Sequence, residues 1–452
     1  MKFRPLPFFV SILLGILFLL AIVRLSAYLI QFREQTLQVD FSAYYTAGQS
    51  LNLGLSPYKN NFSQDPPVWD GIARSRYSRF LYPPLVAAFF QPLASIPYYD
   101  SKFIWEFISI FALGFSLFLT TKVFPLRTAG SYLLTGILAC VFFPLLIHLE
   151  RGQIDLITLF FITLSVLHIV KRTKRSDLLS GIFLAVATLL KLHCVYILPF
   201  LLIRKRWGVL TGYIYGGILI AIASVILAGW DSSVDYVIRQ FPRISGLVRA
   251  DDSLMPAEKR AIRDILQGTP DGYSIKDGRV YKLESLSFLS DATVVEPVTK
   301  YLSENGIVVS RSILSLLLFG IAFFLVWSSD RRFDHETASV QQDFLFWQIP
   351  FVTILLTAPL TWAMNTVWLM PFAVILVSLY SSIPNKTEIL SLLPVSIGFL
   401  VIAIGNDQFN FPPFLESVWE FRYMMGEVII IFGLLYLLQE RAGKRERLAM
   451  NR

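Results

Sequence analysis

The sequence predicts an all-α polytopic membrane protein, on three observations. Mean hydropathy is +0.58. Only 16% of the 452 residues are charged, against ~25% in an average soluble domain. Apolar runs recur from end to end, among them Ser11–Val23, Ser131–Leu149 and Gly208–Ala228. Each approaches or reaches the ~20 residues that cross a ~30 Å hydrocarbon core.

The positive charges sit in short segments between the apolar runs, as cytoplasmic loops do. The net charge of +8 is therefore no sign of a nucleic-acid partner. Cys140 and Cys194 both lie inside apolar runs, so no disulfide framework is expected. The N-terminal apolar stretch is too long for a signal-peptide core, and no small-residue cleavage site follows it. It is expected to stay as the first span, with a cytoplasmic N-terminus marked by Lys2 and Arg4.

Taken in order, span 1 covers 7–23, with Arg24 placed to snorkel to the far interface. Residues 31–101 form a long outer loop, too polar and proline-rich to enter lipid. Span 2 (102–121) returns to Lys122 and Arg127. Span 3 (128–149) leads out to Glu150-Arg151-Gly152-Gln153, and span 4 (154–170) returns to Lys171, Arg172, Lys174 and Arg175. The stretch between Arg175 and Arg204 is irregular. Both ends are basic and favour the same side, yet ~40 residues would be needed for two full spans. A pair of short or broken helices turning near Lys191 solves this, and such backbone is tolerated only within protein or a wet cavity.

Span 6 (208–228) opens a second outer segment, 230–307, in which Pro256-Ala257-Glu258-Lys259-Arg260 looks like the start of a soluble helix. Spans 7 (308–327), 8 (344–360), 9 (366–380), 10 (389–405) and 11 (424–438) complete the bundle. The turn 361–365 and the loop 406–422 lie outside, and the C-terminus is cytoplasmic. The expected architecture is about ten full spans plus one broken helix pair, with outer loops carrying short amphipathic helices. Residues 1–440 make one transmembrane domain with loops 31–101 and 230–307 inserted. Residues 441–452 are a basic cytoplasmic tail.

Charges at a membrane rim are costly and seldom idle. Asp40, Glu150, Arg151, Gln153, Asp155, Lys191, His193, Trp362 and Asn365 come from distant parts of the chain, yet the topology puts them all at the outer face. Plainer roles exist for some of them. Asp40 precedes an apolar-periodic run and makes a good helix N-cap, while Glu150 and Arg151 suit interfacial anchoring. The sequence holds no Gly-rich phosphate loop and no HExxH or CxxC signature. Asp251-Asp252 reads as a solvated pair in a loop, and four scattered histidines argue against a His-rich metal centre.

Asp40-Phe41, Tyr44, Ala47-Gly48, Gly54 and Ser56-Pro57-Tyr58 resemble the first-loop motif of glycosyltransferase family 87. Phe80-Leu81-Tyr82-Pro83-Pro84-Leu85 with Pro92-Leu93, then Gly152-Gln153 and Asp155-Leu156, resemble its next elements. Gly181 with Leu189-Leu190-Lys191 is similar to its short-helix lysine motif, and Ala358-Pro359-Leu360-Thr361-Trp362 to a later turn. One departure is Met364, where many members carry histidine.

The resemblance implies a GT-C type glycosyltransferase fold. It implies a membrane enzyme of the plasma (inner) membrane that takes a hexose, mannose first, from a polyprenyl-phosphate donor. The acceptor is a glycan or glycolipid on the periplasmic or extracellular side, reached from membrane lipid. On that reading Asp40 is the catalytic base, Lys191, His193 and Arg151 hold the donor phosphate, and Tyr44, Tyr82, Gln153, Asp155, Trp362 and Asn365 line the substrate site. No metal or other cofactor is expected. Other readings are a related enzyme with an arabinofuranosyl donor, a non-catalytic scaffold, and a secondary transporter. Against the transporter stands the lack of paired interrupted spans in two halves.

Overall fold

The computed structural model describes residues 8–34, 39–58, 80–244, 273–276, 279–282, 295–304, 311–330, 338–358, 361, 363–382, 386–404 and 421–450. These residues are helical apart from turns and one antiparallel hairpin, β1 (Tyr273–Lys276) with β2 (Arg279–Lys282). The Asp251-Asp252 pair, the helix start at Pro256 and Trp362 lie outside the described residues.

α1 (Phe8–Glu34) runs past Val23, and its most apolar stretch is only 6% buried. That is the surface of a peripheral helix whose solvent is lipid. Two short helices occupy the segment expected as the first outer loop, α2 (Val39–Asn52) and α3 (Pro84–Ala94). They cross tightly at Gly48, where an added Cβ would lie 2.7 Å from the backbone of Phe90. α4 (Tyr98–Thr121) then begins four residues ahead of the expected span.

The expected third span is two helices, α5 (Ala129–Val141) and α6 (Phe143–Arg151), bent by 54°. Pro144 in the first turn of α6 is the cause. It supplies no N–H to the preceding turn, and its ring would clash with a continuous helix. α6 is buried along its whole length, so Glu150 and Arg151 face protein, not the interfacial water expected of anchors.

α7 (Asp155–Ile169) and α8 (Lys174–Leu190) run antiparallel and set the two ends of the molecule. Asp155 and Leu190 mark one end, Ile169 and Lys174 the other, about 22 Å away at 1.5 Å per residue. The second end is basic and cross-linked. Arg172 pairs with Asp343 at 2.8 Å, and Arg206 with Asp177 at 2.7 Å, while Arg206 also donates to the Ile169 carbonyl. After α8 the chain breaks as expected. Lys191 is extended, a 3-10 turn follows (Leu192–Ile197), and α9 (Leu198–Ile203) leads back to the basic end.

α10 (Trp207–Ala228) packs on α8 along a glycine seam. A Cβ on Gly181 would meet the Val209 carbonyl at 2.0 Å, and one on Gly212 the Leu178 carbonyl at 2.1 Å. Small residues of this kind let two membrane helices approach to backbone contact. A Cβ on Gly217 would meet nothing within 4 Å, because that position lines an apolar cavity. α11 (Trp230–Asp235) and a π turn (Tyr236–Gln240) line the same cavity, and α12 (Phe241–Ile244) follows them.

The remainder comprises α13 (Val295–Glu304), α14 (Arg311–Asp330), α15 (Val340–Thr357), a 3-10 segment (Ala363–Leu369), α16 (Pro371–Ser382), α17 (Lys386–Ala403) and α18 (Arg422–Met450). α15 and the 3-10 segment are buried almost throughout and form the centre of the core. α18 continues through the basic stretch expected as a separate tail. Among the described residues five helices are long and apolar enough to cross a membrane, six if the bent α5–α6 pair counts as one. The count of about ten full spans is not reached on this measure. The apolar helices Asp155–Ile169, Leu192–Ile203, Ser312–Ser328 and Ile389–Ala403 fall short of a full crossing.

The seam yields a direct test. Gly212→Ala drives a methyl into backbone and is expected to cost about 1–3 kcal/mol by overpacking. It should lower the thermal midpoint in detergent, while Gly217→Ala leaves the midpoint nearly unchanged. Equal midpoints for the two variants would contradict the seam.

Candidate functional site

The site forms where the ends of α2, α6, α7 and α8 meet. α6 ends at Arg151, and Gly152 caps it in the left-handed region (φ 65°). A Cβ on Gly152 would lie 2.6 Å from Cβ of Phe41. The first turn of α2 therefore sits flush on the cap, which brings Asp40 beside Arg151. Trp105 of α4 locks the turn from below, its Nε1 donating to the Gly152 carbonyl at 2.9 Å. The Gln153 N–H bonds the His148 carbonyl at 3.2 Å and fixes the exit.

Two ion pairs result. Arg151 Nε donates to Asp40 Oδ2 at 2.6 Å, with the side chains only 10% and 13% exposed. Lys191 Nζ lies 3.2 Å from Oδ2 of Asp155, which is fully buried in the first turn of α7. A carboxylate there also benefits from the helix dipole. Lys191 reaches this place because α8 stops at Leu190 and the extended Lys191 backbone turns its side chain inward. The Asn365 side chain lies beside Asp155 and favours its charged form.

Polar aromatic groups bridge the pairs. The Tyr44 hydroxyl lies 2.9 Å from that of Tyr82 and 3.2 Å from Gln153 Oε1, which Lys191 Nζ approaches at 3.5 Å. The Lys191 ammonium stands 6.0 Å from the centre of the Tyr82 ring. Burial pushes both phenols above the ordinary tyrosine value, and the charges of Asp40 and Asp155 add to the rise. Each tyrosine thus keeps its proton and can donate it in a hydrogen bond. Tyr58, from the end of the first-loop motif, stacks on Tyr236 at 6.0 Å and donates to the Tyr82 carbonyl at 2.8 Å. That contact ties the π turn to the site.

Of the residues singled out in the sequence, Asp40, Tyr44, Tyr82, Arg151, Gln153, Asp155, Lys191 and Asn365 come together. His193 stands in the adjoining 3-10 turn, close enough for its ring to feel the Lys191 charge. Met364 is buried in the main apolar core. Asp40 lies within the first turn of α2 and not ahead of it. Three contributors escaped the sequence reading: Phe41 as the wedge against Gly152, Trp105 as the lock, and the fully buried His148 beneath the Gly152 turn. Glu106, the residue after Trp105, pairs with Lys102 one turn earlier at 2.7 Å, and Lys102 in turn donates to the Phe32 carbonyl. Among the described residues no three His, Cys, Asp or Glu side chains converge as a metal site.

Beside this polar cluster lies an apolar cavity of about 540 Å³ between α8, α10, α11 and the start of α3. Its walls include chain neighbours of the site residues. Leu189 and Leu192 flank Lys191, and Pro83 and Pro84 follow Tyr82.

The Gly152 geometry can be tested alone. Gly152→Ala combines a left-handed backbone with a clash against Phe41, and should cost about 1–3 kcal/mol. Gly15→Ala, where nothing lies within 4 Å, serves as the control in thermal unfolding. A Gly152→Ala protein as stable as that control would refute the wedge.

Comparison with known proteins was informative at the level of the family. Residues 80–257 match the sequence model of glycosyltransferase family 87. The crystal structure of ArnT from Cupriavidus metallidurans in the apo state aligns over 93% of this chain and 76% of its own length. Its identity is 12% and the TM-score 0.34. No curated protein matches. The matched segment holds Tyr82, Arg151, Gln153, Asp155 and Lys191, whereas Asp40 and Asn365 join the site through the geometry described above. The likeness of this multi-pass membrane protein to glycosyltransferase family 87 lies in residues 80–257.

Proposed function

We propose that the protein transfers a hexose, mannose first among the candidates, from a polyprenyl-phosphate sugar to a hydroxyl of a glycan or glycolipid acceptor. The observation that carries this reading is that Lys191 of the charged, hydrogen-bonding site stands in the chain between Leu189 and Leu192, which line an apolar cavity. A lipid phosphate needs that pairing: cations for the headgroup and, within a few ångströms, an apolar channel for the first isoprenyl units. The cross-linked basic cluster at the far ends of α7 and α8 supports placing the site on the outer face of the plasma membrane, since bases favour the cytoplasm.

The chemistry follows from the groups present. The acceptor O–H bond breaks with its proton passing to the Asp40 carboxylate, and the oxygen bonds to the anomeric carbon. The bond from that carbon to the phosphate oxygen breaks, its electron pair staying on the phosphate. A single displacement inverts the anomeric centre, and one base suffices. Lys191 and Arg151 stabilise the charge growing on the leaving phosphate by charge-assisted hydrogen bonds. Tyr44, Tyr82, Gln153 and Asn365 offer donors and acceptors that orient the sugar, and His193 borders the phosphate end. Trp362 adjoins the 3-10 segment that bears Asn365, and its assignment to the acceptor side rests on sequence.

The test is incubation of purified protein with a panel of polyprenyl-phosphate sugars and a glycan acceptor, following release of lipid phosphate. Asp40→Asn should lower transfer roughly 100-fold or more, the usual scale for a general base, while still binding donor. Lys191→Ala should weaken donor binding at least about 30-fold, the lower range for truncating a buried charged pair. Full transfer by Asp40→Asn would remove the base assignment. No release from any donor would remove the function.

A further inference from the structure

The two groups assigned opposite tasks, base and phosphate ligand, hold each other. Asp40 and Arg151 are paired at 2.6 Å and largely shielded from water. The pair is built into the fold, because Phe41 seats against Gly152 and Trp105 fixes the same turn. Salt screens such a buried pair only weakly. Lys191, by comparison, is held by Asp155 and Gln153, neither of which has to act on the acceptor.

We propose that Arg151 is a positioning residue for Asp40 as well as a phosphate ligand: the donor phosphate takes the guanidinium from Asp40, and this exchange turns the carboxylate toward the acceptor. The inference rests on the lipid-phosphate reading above. One guanidinium is contested by two anions, the carboxylate in the empty site and the lipid phosphate in the loaded one. As the sugar leaves, the phosphate gains charge, and its hold on Arg151 tightens while Asp40 takes up the acceptor proton. Donor then precedes acceptor, because Oδ2 of Asp40 is occupied until the phosphate arrives. Tyr44 and Tyr82, which feel the Asp40 charge together with that of Asp155, are the hydroxyls placed to meet the released carboxylate.

A double-mutant cycle on phosphate binding separates this exchange from simple charge repulsion. The probe is farnesyl monophosphate, with farnesol as the apolar control, titrated into wild type, Asp40→Asn, Arg151→Gln and the double variant. Asp40→Asn should bind the phosphate about tenfold tighter than wild type, the ratio that ~1.4 kcal/mol supports. Arg151→Gln should bind it more weakly. In the Arg151→Gln background the Asp40→Asn change should alter affinity less than about twofold, because no guanidinium remains to be released. Arg151→Met replaces Arg151→Gln should the latter not fold.

An equal gain from Asp40→Asn in both backgrounds would mean that the carboxylate only repels the phosphate, and would overturn the exchange. No gain in the Arg151 background present in wild type would overturn it as well. If wild type binds farnesyl monophosphate no better than farnesol, the lipid-phosphate reading itself fails and takes the exchange with it. Binding by wild type with an additive cycle leaves that reading standing and removes the exchange alone.

Discussion

The site depends on one close approach, that of Phe41 to the Gly152 cap. α6 has to end there, since a left-handed residue stops the helix and a side chain at 152 would occupy the space of Phe41. That contact joins the first-loop segment to the buried α6–α7 turn, and every polar contact of the site follows from it. Arg151 precedes the glycine and reaches Asp40, and Gln153 follows it and reaches Tyr44. Asp155 begins α7 two residues later and meets Lys191. Trp105 and the Lys102–Glu106 pair hold the same corner against α4.

Electrostatics separates the two ends of the molecule. At one end carboxylates and cations pair inside protein next to an apolar cavity. At the other, Arg172, Arg206, Asp177 and Asp343 cross-link the turns between helices. A chain in lipid has no water with which to share charges, so each buried cation at the site already has a carboxylate partner. The energetic consequence is that a ligand anion must compete with those partners. The glycine seam of α8 and α10 adds the mechanical part. It clamps the two helices together, and residues of both line the cavity beside Lys191.

Much of this was legible in the sequence, for identifiable reasons. Lys191 stood out because the segment between two basic clusters is too short for two spans, and the structure does break there. Asp40, Tyr44, Tyr82, Arg151, Gln153 and Asp155 stood out as polar residues at a membrane rim, in motif order. The pairing of Asp40 with Arg151 was not legible, because it joins residues 111 positions apart through a contact of Phe41 that has no periodic signature. Trp105 looked like any apolar residue of a span. The burial of Glu150 and Arg151 was missed because Pro144 turns α6 into the protein, a bend that the hydropathy of 131–149 does not reveal. The span count differs for a reason of length, since apolar helices such as Asp155–Ile169 and Ile389–Ala403 are too short for a full crossing.

The most direct measurement is an experimental structure of the protein bound to a polyprenyl-phosphate sugar in a lipid nanodisc. The phosphate is expected between Arg151 and Lys191, the first isoprenyl units in the cavity beside Leu189 and Leu192, and Asp40 turned from Arg151 toward open space at the sugar. A phosphate lodged at the basic end near Arg172 and Arg206, with Asp40 still on Arg151 and the cavity empty, would contradict it.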